Sequence, residues 1–180
     1  MRNIVFIGGG NMAQAIIGGL VKAGRPGASL VVIEPSEGTR RQLVGRFGVK
    51  AQSAAGPALA AAEIVVWAVK PQAFEAAAAP CLGTVDSALQ LSVMAGVRSA
   101  AIVGATGSER VVRAMPNTPA LIGQGIAGVL GEGAEIDRGM PEIRRGVHRS
   151  HRHQAQPLIG IGQAFDLLGK YLAQHLVDPQ

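Results

Sequence analysis

Strand-like and helix-like hydrophobic patterns alternate along the chain as far as about residue 130. The apolar runs predict strands at Asn3–Ile7, Leu30–Glu34, Val49–Ala51, Ile64–Val69, Ala88–Val93, Arg110–Ala114 and Ile126–Leu130. The intervening segments predict helices at Met12–Ala23, Glu37–Phe47, Pro57–Ala62, Ala100–Val103 and, as a helix or a turn, Pro71–Ala79. This alternation predicts an α/β fold with an open, doubly wound, mostly parallel sheet, in which ligands bind beyond the carboxyl ends of the strands.

The pattern changes after about residue 131. Residues 138–153 hold five arginines, three histidines and one glutamate without a clear apolar period, and Pro157–Leu176 then regains helical spacing. We predict two parts: residues 1–137, a nucleotide-binding domain, and residues 138–180, a basic linker followed by a helical tail. The basic segment carries most of the net charge of +5 and has no interleaved aromatics, so we predict no nucleic-acid binding. Its histidines lack a frame of carboxylates or cysteines, so we predict no metal site.

The first predicted strand ends in glycines. Residues 4–13 read IVFIGGGNMA, in which Gly8, Gly10 and Ala13 form the G-x-G-x-x-A fingerprint of the Rossmann dinucleotide-binding fold. The first glycine permits a tight turn, the second admits a pyrophosphate, and the small alanine lets the helix lie close to the strand. The helix N-terminus then offers free N–H groups and its positive dipole end to the phosphates.

An acidic residue follows at the spacing that this fingerprint requires. Glu34 ends the second strand, 21 residues after Ala13, where a carboxylate accepts hydrogen bonds from the ribose diol of NAD. Ser36, Arg40 and Arg41 come next, and their hydroxyl and guanidinium groups suit the 2′-phosphate of NADP. The two arginines fit a solvated helix face equally well, so these residues leave NADH and NADPH both open.

Two later strands end in loops that suit a bound cofactor. Pro71 cannot extend a parallel ladder, so the chain turns out over the crevice there, and Lys70 places a cation near the phosphates or ribose. Ala95 and Gly96 are small enough to admit a flat nicotinamide ring. A structural turn without a ligand is the alternative for each loop.

A third loop, Met115–Ala120, follows the sixth predicted strand. Its two prolines make an exposed loop rigid, and from this frame Asn117 offers an amide and Thr118 a hydroxyl. This chemistry indicates a contact with a substrate or with nicotinamide, and a purely structural turn is again the alternative.

Together and in this order, these segments resemble the pyrroline-5-carboxylate reductase family. The matching stretches are FIGGGNMA (6–13), AVKPQ (68–72), AGV (95–97) and RAMPNTPA (113–120), which continues to GQG (123–125). The resemblance implies hydride transfer from NADPH or NADH to the cyclic imine 1-pyrroline-5-carboxylate, which yields proline, with Asn117 and Thr118 positioning the imine. The implied cofactor-binding residues are Gly8, Gly9, Gly10, Asn11, Met12, Ala13, Glu34, Pro35, Ser36, Ala68, Val69, Lys70, Pro71, Ala95 and Gly96.

Two departures from the family pattern change what we expect. An asparagine that usually follows the third strand is replaced by the segment Gln52–Ala55. The family's helical dimerisation domain, with a Ser-Gly-Ser-Gly-Pro-type loop for the substrate carboxylate, has no counterpart in residues 138–180. A rearranged or out-of-frame 3′ end would give such a change, and sequencing the downstream DNA tests this. We therefore expect cofactor binding, with impaired turnover and without the homo-oligomer that the family implies.

Bulk composition limits the class of protein. Hydrophobic residues make up 48% of the chain and aromatics only 3%, so the core must be built from Ala, Val, Ile and Leu. The single cysteine, Cys81, excludes an internal disulfide and favours a reducing compartment, where we predict it to be an apolar core residue. No apolar segment is long enough to span a membrane, and we predict a cytoplasmic protein.

Two other functions remain open at this point. One is a cofactor-binding module without turnover, which the missing carboxylate-binding loop favours. The other is a short dehydrogenase of the 3-hydroxyacid or prephenate kind. That chemistry needs a catalytic lysine or histidine after the Rossmann domain, and Lys170 and His175 match it poorly.

Overall fold

A single sheet organises the described part of the chain. The computed structural model describes residues 3–116, 126–132 and 159–160, and the side chains of residues 3–114. The described strands are β1 Ile4–Ile7, β2 Leu30–Ile33, β3 Lys50–Gln52, β4 Ile64–Trp67, β5 Leu89–Ser92, β6 Val111–Pro116, β7 Ile126–Glu132 and β8 Ile159–Gly160. They lie in the order β3-β2-β1-β4-β5-β6-β7-β8.

Helices and short turns connect these strands. The α-helices are α1 Asn11–Lys22, α2 Glu37–Phe47, α3 Pro57–Ala60, α4 Phe74–Ala78 and α5 Ser99–Thr106, and 3₁₀ turns occupy Gly27–Ser29, Pro71–Ala73 and Ala79–Cys81. Every one of these strands and helices except β8 was predicted from the hydrophobic pattern, with ends that differ by no more than three residues.

The sheet has the predicted doubly wound topology. Strands β1 to β6 pair in parallel, and β7 and β8 add to one edge in antiparallel orientation. The chain moves outward from β1 through β2 to β3, then returns to place β4 on the other side of β1. The carboxyl ends of β1 and β4 therefore border the switch point, which is where open α/β sheets bind ligands. The predicted fold class is confirmed.

One sequence prediction was wrong at two residues. The apolar spacing in Pro157–Leu176 predicted a helix, but Ile159–Gly160 forms strand β8, in which Ile159 pairs with Ala127 and Gly160 with Ile126. The edge of β7 offers backbone N–H and C=O groups that need partners, and pairing with them overrides the local helical period. The remainder of that prediction, and the boundary at residue 137, lie outside the described residues.

The core lies on both faces of the sheet. All four residues of β1 and of β4 are buried, as a parallel sheet covered on both faces requires. Helices α1 and α2 cover one face, where Phe6, Ile16 and Leu43 belong to a single cluster. Helices α4 and α5 cover the other face, where Phe74 and Ile102 belong to a second cluster. As predicted, aliphatic side chains supply most of both clusters.

A buried polar group fixes the end of β4. Gln90 in β5 is fully buried, and its Oε1 accepts a hydrogen bond of 2.8 Å from Trp67 Nε1. Its Nε2 donates to the carbonyl oxygens of Val85 and Ala88, so the amide is satisfied. The Trp67 ring also meets Phe74 edge-on at 5.2 Å. Trp67, the last residue of β4, is therefore held by Gln90 on one side and by Phe74 on the other. The loop that contains Lys70 and Pro71 begins just after it.

Cys81 lies in the core, as predicted. The residue is 1% exposed, its thiol donates to the Ala77 carbonyl oxygen at 3.3 Å, and burial raises the pKa of the thiol. Thiol reagents attack the exposed thiolate, so Ellman's reagent should label the native protein at least about 100-fold more slowly than the urea-unfolded protein. Equal labelling rates in the two states would show that the α4 region opens freely.

Candidate functional site

The glycine-rich turn after β1 lies directly against the end of β4. Gly8 has a φ of +97°, which favours glycine, and a Cβ at this position would lie 2.8 Å from the Ala68 carbonyl oxygen and 3.0 Å from Val69 Cγ1. Gly8 N–H also donates to the Ile33 carbonyl oxygen at the end of β2. One predicted glycine thus brings together the ends of β1, β2 and β4.

Gly10 opens onto free space at the start of α1. A Cβ built on Gly10 would have no other heavy atom within 4 Å, and the residue is exposed. Gly10 is the N-cap of α1 and offers no side-chain cap, and no acidic residue occupies the first helical turn. The first N–H groups of a helix have no intrahelical acceptor, so this end of α1 presents donors and a positive dipole end to the crevice. Ala13 is fully buried, where its small side chain lets α1 lie on the sheet.

Gly9 is required by packing that the fingerprint does not specify. A Cβ on Gly9 would lie 2.7 Å from Leu43 Cδ1 and 3.2 Å from Glu34 Cγ. The Gly9 N–H donates to Glu34 Oε2 at 2.9 Å, and the Gly9 carbonyl oxygen accepts from Gln14 Nε2 at 3.1 Å. The middle residue of the turn is therefore covered by Leu43 of α2 and by Glu34, which directly follows β2.

Glu34 and the residues after it form a second turn at the same edge. Glu34 Oε1 accepts from the Ser36 N–H at 2.9 Å, and the Ser36 hydroxyl caps α2 by accepting from Thr39 N–H. Arg40 Nη1 donates to the carbonyl oxygens of Glu34 and Pro35. Arg40 therefore holds the turn. Arg40 and Arg41 were predicted either to contact a 2′-phosphate or to lie on a solvated helix face, and Arg41 fits the solvated face.

Arg41 forms an exposed ion pair with Glu37 at 2.6 Å, one helical turn earlier on α2. Such a pair contributes little to stability, because both side chains are largely solvated.

The loops after β4 and β5 face each other across a cavity. Pro71 and Gly96, both predicted from sequence to contact the cofactor, line a cavity of about 720 Å³ together with residues of α4 and α5. Lys70, Ala95 and Gly96 are exposed, whereas Ala68 and Val69 are half-buried against Gly8. The structure therefore brings all four predicted cofactor segments to one edge of the sheet. Asn117 and Thr118 lie outside the described residues.

The other features that we searched for in the described residues do not add to this site. Burial lowers the pKa of Arg25, although Glu63 opposes the shift, and both residues lie away from the carboxyl edge. Within residues 3–116, no group of three or more histidine, cysteine or acidic side chains is placed to hold a metal ion. Nor does any described helix have the length and hydropathy needed to cross a membrane. His148, His151 and His153 fall outside the described residues.

Comparison with known protein families shows which family the chain belongs to. The family model described as NADP oxidoreductase, coenzyme F420-dependent, matches residues 3–96, just over half of the chain. The chain belongs to this family. The match starts just before β1 and ends at Gly96, so it contains the glycine-rich turn, the Glu34 turn and both cavity loops.

Two curated relatives of the chain carry the same name. Pyrroline-5-carboxylate reductase of Pseudomonas aeruginosa is 42% identical over 130 residues, which are 70% of this chain and 47% of the relative. The enzyme of the same name from Haemophilus influenzae is also 42% identical, over 129 residues. The resemblance predicted from the motifs is confirmed, and the chain spans about half the length of the curated relatives it matches.

Solved structures give the same result for the fold of the chain. A pyrroline-5-carboxylate reductase from Coxiella burnetii aligns with a TM-score of 0.70 and 25% identity, over 98% of this chain and 72% of that one. The pyrroline carboxylate reductase of Plasmodium falciparum, solved with NADP bound, aligns with a TM-score of 0.64 and 23% identity, over 79% of this chain and 53% of that one. The latter likeness supports the fold alone.

Proposed function

We propose that residues 1–137 bind NADPH or NADH along the carboxyl edge of the sheet and form the nucleotide-binding half of a reductase that converts 1-pyrroline-5-carboxylate to proline. The observation that carries this proposal is the open approach to Gly10 at the N-terminus of α1, next to the turns that hold Glu34 and Lys70. The names of the curated relatives support the substrate.

Each part of the dinucleotide can be assigned to one segment of the sheet edge. The N–H groups at the start of α1 would hold the pyrophosphate, and the turn from Glu34 to Ser36 would hold the adenosine ribose. Lys70 would neutralise phosphate charge, and Ala95 and Gly96 would admit the nicotinamide. All of these lie at one edge, so a single extended dinucleotide can contact them together.

The chemistry asks little of the protein beyond orientation. When bound, a reduced nicotinamide supplies the hydride for the C5 carbon of the imine. A protonated imine is already electrophilic, so the chain has to hold its ring near the nicotinamide and exclude water. Asn117 and Thr118 are the proposed positioning residues, and no residue is assigned as a catalytic acid.

The alternative is a cofactor-binding module that does not turn over the imine. Its support is that the described residues build the proposed cofactor contacts, whereas none of them is assigned to hold the substrate carboxylate. For this chain alone we expect weak turnover, because misplacing a substrate by about 1 Å can cost about 100-fold in rate. We further propose a small-molecule substrate and a cytoplasmic location.

One experiment tests the proposed function in two stages. Trp67 is the only tryptophan and ends β4, so energy transfer from Trp67 to reduced nicotinamide should report binding of NADPH and NADH to the purified chain. Proline formation from pyrroline-5-carboxylate is then followed at saturating cofactor. Absence of binding overturns the proposal. Binding without proline formation favours the module, whereas turnover of roughly 1–1000 per second would show that the chain builds a complete substrate site.

A further inference from the structure

We propose that Glu34 is a positioning residue that locks the glycine-rich turn to the β2–α2 turn, and that it sets the affinity for NADH and NADPH together instead of selecting between them. This inference rests on the proposed cofactor site. It differs from the sequence interpretation, in which the Glu34 carboxylate contacts the ribose diol and thereby favours NAD.

The geometry of the carboxylate carries the first step. Its two oxygens accept from two different turns, Oε2 from Gly9 N–H and Oε1 from Ser36 N–H, each at 2.9 Å. Hydrogen bonds to an ionised acceptor are among the stronger ones in proteins, and the bond from Gly9 joins residues 25 positions apart in sequence. The carboxylate is therefore a cross-link between the proposed pyrophosphate and ribose contacts.

Packing around the carboxylate carries the second step. Glu34 lies over Gly9 so closely that an added Cβ there would approach Glu34 Cβ and Cγ to 3.3 and 3.2 Å. From the other side, Arg40 Nη1 donates to the backbone oxygens of Glu34 and Pro35. The Glu34 backbone N–H donates to the Gln52 carbonyl oxygen at 2.9 Å. Backbone and side chain of Glu34 are thus both held, and the carboxylate stays directed at Gly9.

The contact with Gly9 determines how Glu34 affects the affinities for NADH and NADPH. Gly9 immediately precedes Gly10, the N-cap of α1, so releasing Gly9 loosens the frame of the pyrophosphate contacts, which NADH and NADPH share. The 2′-phosphate is the only group that distinguishes the two cofactors. A residue that acts through Gly9 therefore changes both affinities by the same factor, whereas a residue that contacts the ribose changes their ratio.

The test compares Glu34→Gln and Glu34→Asp with Glu37→Gln. The glutamine keeps one acceptor but presents an NH2 group to the second backbone N–H, so both dissociation constants should rise by about tenfold. The aspartate keeps both acceptor oxygens and should recover part of the loss. Glu37→Gln removes a neighbouring carboxylate that pairs only with Arg41 among the described residues, and it should leave both dissociation constants within about twofold of wild type.

Two results would overturn the inference. A tenfold or larger shift of the NADH-to-NADPH ratio toward NADPH in Glu34→Gln would place the carboxylate at the ribose. Unchanged affinity for both cofactors would remove any role for it in binding.

A cofactor-free measurement separates this inference from the proposed function. In the absence of cofactor, hydrogen exchange of the Gly9 and Ser36 amides, resolved by NMR, should accelerate in Glu34→Gln while amides of β1 and β4 stay protected. If the wild-type chain binds neither cofactor, the proposed function fails, and faster exchange at Gly9 still establishes the cross-link. Unchanged exchange at both amides would refute the cross-link itself.

Discussion

Gly10→Glu is expected to abolish binding of NADPH and NADH without disturbing the fold. The substituted side chain would occupy the open space at the N-terminus of α1, where the pyrophosphate is proposed to lie. It would add a negative charge beside a doubly charged group, and such like-charge contacts cost several kcal/mol. We expect at least a 100-fold weakening, which corresponds to about 2.7 kcal/mol.

The fold should tolerate Gly10→Glu because its backbone is ordinary. Gly10 has φ −68° and ψ −174°, which is extended backbone that any residue adopts, and no heavy atom lies within 4 Å of an added Cβ. Circular dichroism and the thermal midpoint should therefore match wild type. The loss of Trp67-to-nicotinamide energy transfer then measures binding alone.

Gly45→Glu is the matched control for this prediction. Gly45 is an exposed glycine of α2 whose added Cβ would also meet open space, so the change in size and charge is the same. It lies in the last turn of the helix, away from the carboxyl edge, and cofactor affinity should be unchanged. Equal affinity of Gly10→Glu and Gly45→Glu would refute the fingerprint interpretation of residues 8–13.

The parallel sheet was predictable because local and tertiary preferences agree there. The run Ile64–Trp67 is apolar at every position, which is the pattern of a strand buried on both faces of a parallel sheet. The two antiparallel strands were harder to predict. Strand β7 was predicted, but without its direction. Strand β8 exists because the edge of β7 needs a partner, and a local hydrophobic period does not record a long-range pairing of this kind.

The candidate site was predictable in its positions but not in its contacts. Gly8 and Gly10 have distinct reasons to be glycine, a positive φ with a close backbone neighbour and an open approach, and the fingerprint anticipates both. Gly9 occupies a position that the fingerprint leaves free. Its requirement depends on Leu43 and Glu34, which come from other elements and meet it only in the folded chain.

The partner of a polar side chain was the least predictable feature. Glu34 was predicted to accept from a ribose, which stays a prediction, and the sequence did not indicate that its two oxygens accept from backbone N–H groups of two turns. Gln90 was not singled out at all, although a buried tryptophan N–H needs an acceptor and Trp67 is the only tryptophan. Spacing along the chain indicates where a polar group lies but does not indicate which of several acceptors or donors it meets.

Gly8→Ala is expected to lower the free energy of unfolding by about 2–6 kcal/mol, through two separate costs. A non-glycine residue held in a disfavoured backbone region costs about 1–3 kcal/mol, and the φ of Gly8 is +97°. The added methyl would also lie 2.8 Å from the Ala68 carbonyl oxygen, and such overpacking costs about 1–3 kcal/mol more. Domains are stable by only about 5–15 kcal/mol, so the loss is a large fraction of the total.

Gly83→Ala separates the two costs of Gly8→Ala. Gly83 also has a positive φ, +73°, but an added Cβ there meets nothing within 4 Å, so only the backbone cost of about 1–2 kcal/mol applies. Urea unfolding of both variants gives the difference, which measures the close approach of β1 to β4. Because the Ala68 backbone leads directly into Lys70 and Pro71, Gly8→Ala should also weaken cofactor binding, whereas Gly83→Ala should not. Equal destabilisation by the two variants would mean that the end of β4 yields to the extra methyl and that Gly8 is required for its φ alone.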